Sequence, residues 1–371
     1  MYEKAIYIAG ILNSIAEDLD IPDSKYLEAK NRYEAVGNWL GKEGTALSNY
    51  YPEIYTQGSF RLGTVVKPIK KDEYDIDLVC FLNELRKEDT TQANLKKMVG
   101  DRLKEYDRYK EILDKEGRRC WTLEYANEFH MDILPSIADD ELRPRDVLYK
   151  DAILITDKEM IENNDINWPK SNPKGYANWF FNKQTESFQT FKKEIAESMK
   201  VDIEDVPDYK VKTPLQRAIQ ILKRHRDIFF LNNNEKNKPI SIIITTLSAN
   251  LYLGQDNVFN AIYDILNNIN KEMLIGEEGY YIRNPASFDE NFADKWNENS
   301  ELPKAFFNWI DNAKNVFSSN ILLKKDEIQI AKVLNESLGS SVDKITPQKI
   351  KPTPVYIKTN NIKSTQPWQY K

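Results

Sequence analysis

The stretches Gln57-Gly-Ser-Phe-Arg-Leu-Gly-Thr64, Glu73-Tyr-Asp-Ile-Asp-Leu78 and Phe129-His-Met-Asp-Ile-Leu134 hold the residues of this chain whose types and spacing can do chemistry. Asp75 and Asp77 stand two apart in an apolar run that ends at Leu82. On a strand both carboxylates therefore leave one face, while Ile76, Leu78 and Cys80 take the other. Two carboxylates aimed at one spot need a cation. Asp132 lies in a second strand-like segment, 128–137, and adds a third carboxylate if the two strands are neighbours. Such a set suits two Mg²⁺ ions about 4 Å apart, with Mn²⁺ as a substitute, clamping the attacking and leaving oxygens of an in-line phosphoryl displacement. Gly58 lets the backbone approach a phosphate, Ser59 offers a hydroxyl and an N–H, and Gly63 permits a tight return. With Gln57 ahead of them they form a nucleotide-binding turn.

In this order the three motifs resemble the cGAS/DncV-like nucleotidyltransferases of bacterial anti-phage signalling, cousins of the oligoadenylate synthases and poly(A) polymerases. Two further segments, Trp168-Pro-Lys-Ser-Asn-Pro-Lys-Gly-Tyr-Ala-Asn-Trp179 and Thr213-Pro-Leu-Gln-Arg-Ala-Ile-Gln-Ile-Leu-Lys-Arg-His225, resemble the bacterial cyclic-oligonucleotide synthases in particular. The resemblance implies an α+β fold: a polymerase-β-like palm of mixed β-sheet with helices, an α-helical C-terminal lobe of the oligoadenylate-synthase type, and the active site in the cleft between them. It implies that Asp75, Asp77 and Asp132 are catalytic and bind the metals. It implies that nucleoside triphosphates are joined into a cyclic di- or trinucleotide, with release of pyrophosphate, and that a downstream effector reads the product. Lys223 and Ser241 are implied contacts of the triphosphate. Asn172 is a candidate for reading a base edge, because its amide both donates and accepts, with a second reading as a turn residue before Pro173. Trp168, Tyr176 and Trp179 could stack on the base, although most of these aromatics are read as core. Ile242 stands where some relatives carry a stacking aromatic, which leaves base identity open. The same carboxylates also serve a linear oligonucleotide or RNA-tailing enzyme, a drug-modifying transferase, or a nucleotide sensor without turnover.

At 371 residues the chain exceeds one typical domain, so two lobes are expected. Its 41% apolar content, with seven Trp and fifteen Phe, supports real cores. A net charge of −6 argues against coating long nucleic acids, whose binding depends on neutralising phosphates. Two Cys and two His at no ligand spacing make no zinc site, and buried thiols fit a reducing cytoplasm. The apolar stretches 5–15 and 240–253 are too short to span a bilayer, so no membrane association is expected. A monomer is expected.

Residues 1–50 are read as spine helices, 2–19 and 25–41, behind the sheet and touching both lobes. The palm, 51–165, has a strand near Ile54, the strand 75–82, a charged helix 92–115, a hairpin of 120–125 with 128–137 turning at Asn127, and a strand 148–155. The helical lobe, 166–340, has helices at 176–199, 214–231, 241–253, 258–273 and 302–339, with Pro214 behind Thr213 as N-cap. The tail 341–371, with four prolines from Pro347 to Pro367, is expected to be extended or disordered. On the helix 214–230, Ile219, Leu222 and Phe229 form the expected buried stripe, with Arg224 and Arg226 on a solvated basic face. Ser241 has a second reading as a plain N-cap after Pro239. His130 is read as structural and His225 as packed or exposed.

Overall fold

Apolar alternation from Tyr74 onward makes one strand the axis of the palm. The structure, a computed structural model, describes residues 2–69, 74–125, 129–231 and 233–339. Glu73, the expected turn residue Asn127, the start of the 128–137 segment and the tail 341–371 lie outside them. The first helices are α1 (Tyr2–Asp18) and α2 (Asp23–Leu40). The palm follows with β1 (Pro52–Thr56), α3 (Gly58–Leu62), β2 (Tyr74–Leu82), α4 (Gln92–Lys104), α5 (Asp107–Ile112), β3 (Trp121–Tyr125), β4 (Phe129–Ala138), β5 (Ile153–Ile155), α6 (Lys158–Glu162) and β6 (Lys170–Ser171). The sheet runs β1-β2-β4-β5-β6, with β3 also paired to β4. It is mixed, because β2 and β4 are parallel and the other pairings antiparallel. Tyr74, Ile76, Leu78, Cys80 and Leu82 enter a core with Val36, Leu40, Leu95 and Val99 of α2 and α4. The other face of β2 carries Asp75 and Asp77.

The helical lobe comprises α7 (Pro173–Asn182), α8 (Thr185–Met199), α9 (Pro214–Leu231), α10 (Ser241–Leu251), α11 (Val258–Asn268), α12 (Asp294–Glu298), α13 (Glu301–Val316), α14 (Ser319–Leu322) and α15 (Glu327–Leu338). Every residue of α9 from Pro214 to Arg226 is buried, because α1, α10, α11, α13 and α15 all pack on it. Its start is a reciprocal cap: the Thr213 hydroxyl accepts from the Gln216 N–H at 3.2 Å, and Gln216 Oε1 accepts from the Thr213 N–H at 3.0 Å. Among the described residues no helix is long and apolar enough to cross a membrane.

Several expected elements differ. Of the two N-terminal helices only α2 backs the sheet; Ile8, Leu12 and Ile15 of α1 enter the helical-lobe core instead. The helix expected over 92–115 breaks at Glu105 and Tyr106, and that over 176–199 breaks before Thr185, where buried Gln184 accepts the Thr213 hydroxyl. The strand expected over 148–155 shrinks to β5, because Asp146 Oδ1 accepts from the Leu148 N–H at 2.8 Å and caps a short 3₁₀ turn. The helix over 302–339 divides into three, the last started by Asp326 accepting from the Gln329 N–H. Arg224 and Arg226 are buried, at 6% and 7% exposure, and no solvated basic face exists there.

That burial has a purpose in the chain's wiring. The segment after α3 runs along α9 with its carbonyls bonded to α9 side chains. Gln216 Nε2 donates to Leu62 O at 2.9 Å, Lys223 Nζ to Thr64 O at 3.1 Å, Gln220 Nε2 to Val65 O at 2.8 Å, and Arg224 Nη2 to Lys67 O. Positions 216, 220, 223 and 224 share one helix face. The lobe thereby pins the segment that leads away from the Gly-Ser motif.

Candidate active site

Strand pairing decides the site. In the parallel β2–β4 ladder Asp77 is register partner of Asp132, and Asp75 of His130. The three carboxylates therefore leave the same sheet face on neighbouring strands. β1 runs antiparallel beside β2, and its exit places the next motif against them: the Gln57 N–H donates to the Asp77 carbonyl at 2.8 Å, and the chain turns into α3 at Gly58. The Gly-Ser element is thus the first turn of a short helix, not the simple turn expected. Gly58 has φ +62°, and a Cβ there would lie 2.3 Å from Asp77 Oδ2, so only glycine leaves room between the motif and the carboxylate. Gly63 ends α3 at φ +66°, where a Cβ would meet Gln216 Nε2 at 2.6 Å.

A cleft of ≈ 710 Å³ lies between this face and the helical lobe. Gly58, Ser59, Asp75, Asp77 and Asp132 line one wall; Lys223, Arg226, Ser241 and Ile242 line the other. Burial first, then the neighbouring Asp132 and Asp75 carboxylates, push the Asp77 carboxyl up to about 6, against the pull of Lys223. Burial, reinforced by Arg226, lowers the Lys223 ammonium to about 7. Lys223 Nζ also reaches the Thr64 hydroxyl at 3.3 Å. Thr122 of β3, in register with Asp132, donates its hydroxyl to Asp132 Oδ1 at 2.5 Å.

The donor set is chemically suited to Mg²⁺: three carboxylate oxygen donors, one of them pushed above the usual carboxylate range by burial and then by its like-charged neighbours. A cation among them would relieve that repulsion. Among the described residues no three His, Cys, Asp or Glu side chains already stand at metal-ligand spacing.

Asn172 is a correction. It is 1% exposed and caps α7, with Oδ1 accepting from the Gly175 N–H at 3.0 Å and Nδ2 donating to Leu148 O and Ala286 O, each at 2.9 Å. Both N–H donors of its amide are spent inside the protein, which leaves none for a base edge. The aromatics near it are core: the Tyr176 hydroxyl bonds Thr246 at 2.8 Å, Trp179 tilts onto Tyr176, and Trp168 packs against the palm core. Ser241 is the first residue of α10, and the N-cap position falls to Ile240. His225 is packed, its Nδ1 accepting from Trp309 Nε1 at 2.9 Å. Thr64, Thr122, Gln216 and Gln220 escaped the sequence reading. Thr64 closes the first motif, and hairpin register marks Thr122.

A family model described as the nucleotidyltransferase domain of the DncV-like cyclic GMP-AMP synthases matches residues 52–135, which span β1 to β4 and all three aspartates. A c-di-GMP synthase of Roseivirga ehrenbergii is 32% identical over 82% of this chain and 77% of its own. The chain belongs to the DncV-like nucleotidyltransferase family. A cyclic dinucleotide synthase, CdnG, of Bradyrhizobium diazoefficiens is 26% identical over 62% of this chain and 55% of its own. The solved structure of a CD-NTase CdnG from Bradyrhizobium diazoefficiens in complex with GTP superposes with TM-score 0.69 at 19% identity, over 90% of this chain and 94% of that one. That likeness extends the DncV-like fold from the palm to the helical lobe.

Proposed function

We propose that this nucleotidyltransferase joins two molecules of GTP into c-di-GMP. Joining nucleoside triphosphates into a cyclic product follows from the family; the choice of guanine rests on the product named for the Roseivirga relative and the GTP bound by the CdnG structure. The observation that carries the chemistry is the pairing of Asp77 with Asp132 on parallel strands, beside Asp75 and against Gly58. In each transfer a ribose hydroxyl oxygen of one nucleotide bonds the α-phosphorus of the other. The bond to the bridging oxygen of the β-phosphate breaks, pyrophosphate leaves, and the hydroxyl proton goes to solvent; a second transfer closes the ring.

Asp75, Asp77 and Asp132 would hold two Mg²⁺ ions, which when bound supply charge neutralisation at the phosphates and acidify the attacking hydroxyl. Thr122 keeps the Asp132 carboxylate in one orientation. Gly58 and Ser59 offer first-turn N–H groups and a hydroxyl to the phosphates. Lys223, anchored on Thr64, neutralises phosphate charge from the opposite wall, and Ser241 adds a hydroxyl. The cyclic product acts as a messenger, read by a separate effector in anti-phage defence.

The test is incubation with the four labelled nucleoside triphosphates, singly and together, with Mg²⁺ or Mn²⁺, followed by phosphatase. A phosphatase-resistant product containing guanine alone, lost in Asp77→Asn, is expected. A phosphatase-sensitive linear product, or a resistant one containing another base, would overturn the assignment to c-di-GMP.

A further inference from the structure

Arg226 is a buried cation with no part in the roles assigned so far. It lies one turn beyond Lys223 on α9 and lines the same cleft wall. Its Nη1 donates to Pro239 O and to Ser241 Oγ, each at 3.0 Å. Its Nε and Nη2 donate to Asp227 Oδ1 at 3.0 and 2.8 Å, so the buried charge has a counter-ion. These contacts tie the loop before α10 to α9 and fix where Ser241 stands.

They also fix what Ser241 can do. A serine hydroxyl has one proton and two lone pairs, and a guanidinium only donates. The lone pair turned to Arg226 forces the Ser241 proton to point elsewhere. Among the described residues the Ser241 hydroxyl makes no bond other than the one it accepts from Arg226, while its carbonyl accepts from Thr245 Oγ1 at 2.9 Å. Its proton is left for the cleft it lines, where an acceptor can take it.

We infer that Arg226 is a positioning residue: it holds the Ser241 hydroxyl as a hydrogen-bond donor for the triphosphate of the bound nucleotide. This rests on the reading of Ser241 as a triphosphate contact. Arginine suits the task because its planar fork bonds Pro239, Ser241 and Asp227 at once, which an ammonium cannot do in fixed geometry. A residue acting through Ser241 has no effect of its own on phosphate once the hydroxyl is gone.

A double-mutant cycle tests this, with equilibrium binding of a nonhydrolysable GTP analogue and of GMP as readouts. Ser241→Ala is expected to weaken the analogue roughly tenfold, the effect of one lost hydrogen bond to a charged group, and to leave GMP unchanged. Arg226→Gln should weaken it about as much, again sparing GMP, and the double variant should bind no worse than either single one. Arg226→Lys keeps a cation for Asp227 and one donor for Ser241, so it should fold normally and recover part of the loss. Additive losses in the double variant would overturn the positioning role, as would equal weakening of GMP and analogue by Arg226→Gln or a full rescue by Lys. An unchanged Ser241→Ala would overturn the reading of Ser241 and this inference with it. A wild-type protein that binds other nucleoside triphosphates but not the GTP analogue would instead overturn the guanine assignment; the cycle would then be run with an analogue of the nucleotide it does bind.

Discussion

Gly58 holds a left-handed φ of +62° with Asp77 Oδ2 where its Cβ would be. Gly58→Ala therefore combines backbone strain, about 1–2 kcal/mol, with displacement of the Asp77 carboxylate. Pyrophosphate release should fall by roughly a hundredfold, as for a misplacement of about 1 Å at a reacting centre, while thermal unfolding still shows a cooperative fold. A variant that keeps wild-type release would show that the close approach is incidental. Asn172 predicts the reverse pattern. Asn172→Ala removes the cap of α7 and strands the buried carbonyl of Ala286 and the part-buried one of Leu148, so it should cost ~2–3 kcal/mol in denaturant titrations. The base composition of the product should not change; a shift in it would return Asn172 to the nucleotide site.

At the scale of elements, α9 is the part that joins the lobes. A helix buried on every side is ordinarily apolar, yet this one carries Gln216, Arg217, Gln220, Lys223, Arg224 and Arg226. The polar side chains are tolerated because each has at least one partner, mostly backbone carbonyls of 62–67 that no strand satisfies, although the buried Arg224 Nε is left without one. Gln220 links three segments: Nε2 donates to Val65 O and, at 2.7 Å, to Asp20 Oδ1, and Oε1 accepts from Arg217 at 3.1 Å. Gln220→Leu keeps the volume but orphans those partners. We expect a loss of ~2–4 kcal/mol and a non-additive pairing with Asp20→Ala, measured by a double-mutant cycle. A loss below about 0.5 kcal/mol would mean that water replaces the side chain readily.

For the whole molecule, two buried groups set opposing pH dependences. Burial lowers His225 from its ordinary 6.5 to about 4, so between those values the unfolded chain binds the extra proton and stability falls as pH falls. Asp77, raised from 3.8 to about 6, binds its proton more readily when folded, and stability is gained as pH falls through that window. His225→Gln, which still offers Trp309 an acceptor, should lose less stability than wild type between about pH 7 and about pH 5; Asp77→Asn should lose more. Denaturant titrations at the two pH values check both signs. Parallel slopes in all three proteins would show that neither group governs the response.

The period-two spacing of Asp75 and Asp77, the glycines of the first motif and the third aspartate were legible in the sequence because each is a local matter: side-chain alternation along a strand, or a backbone conformation only glycine adopts freely. The α+β class was implied by the family resemblance that those motifs carry. Tertiary structure alone decided which polar side chains were free to act. Asn172 looked like a base reader until Leu148 and Ala286 closed on it, and Arg226 looked solvated until the loop before α10 folded over it. Thr122 reached Asp132 only through hairpin register, and α1 left the sheet for the helical core. A polar residue's role depends on what packs over it, and those partners come from far along the chain, beyond the reach of any local pattern.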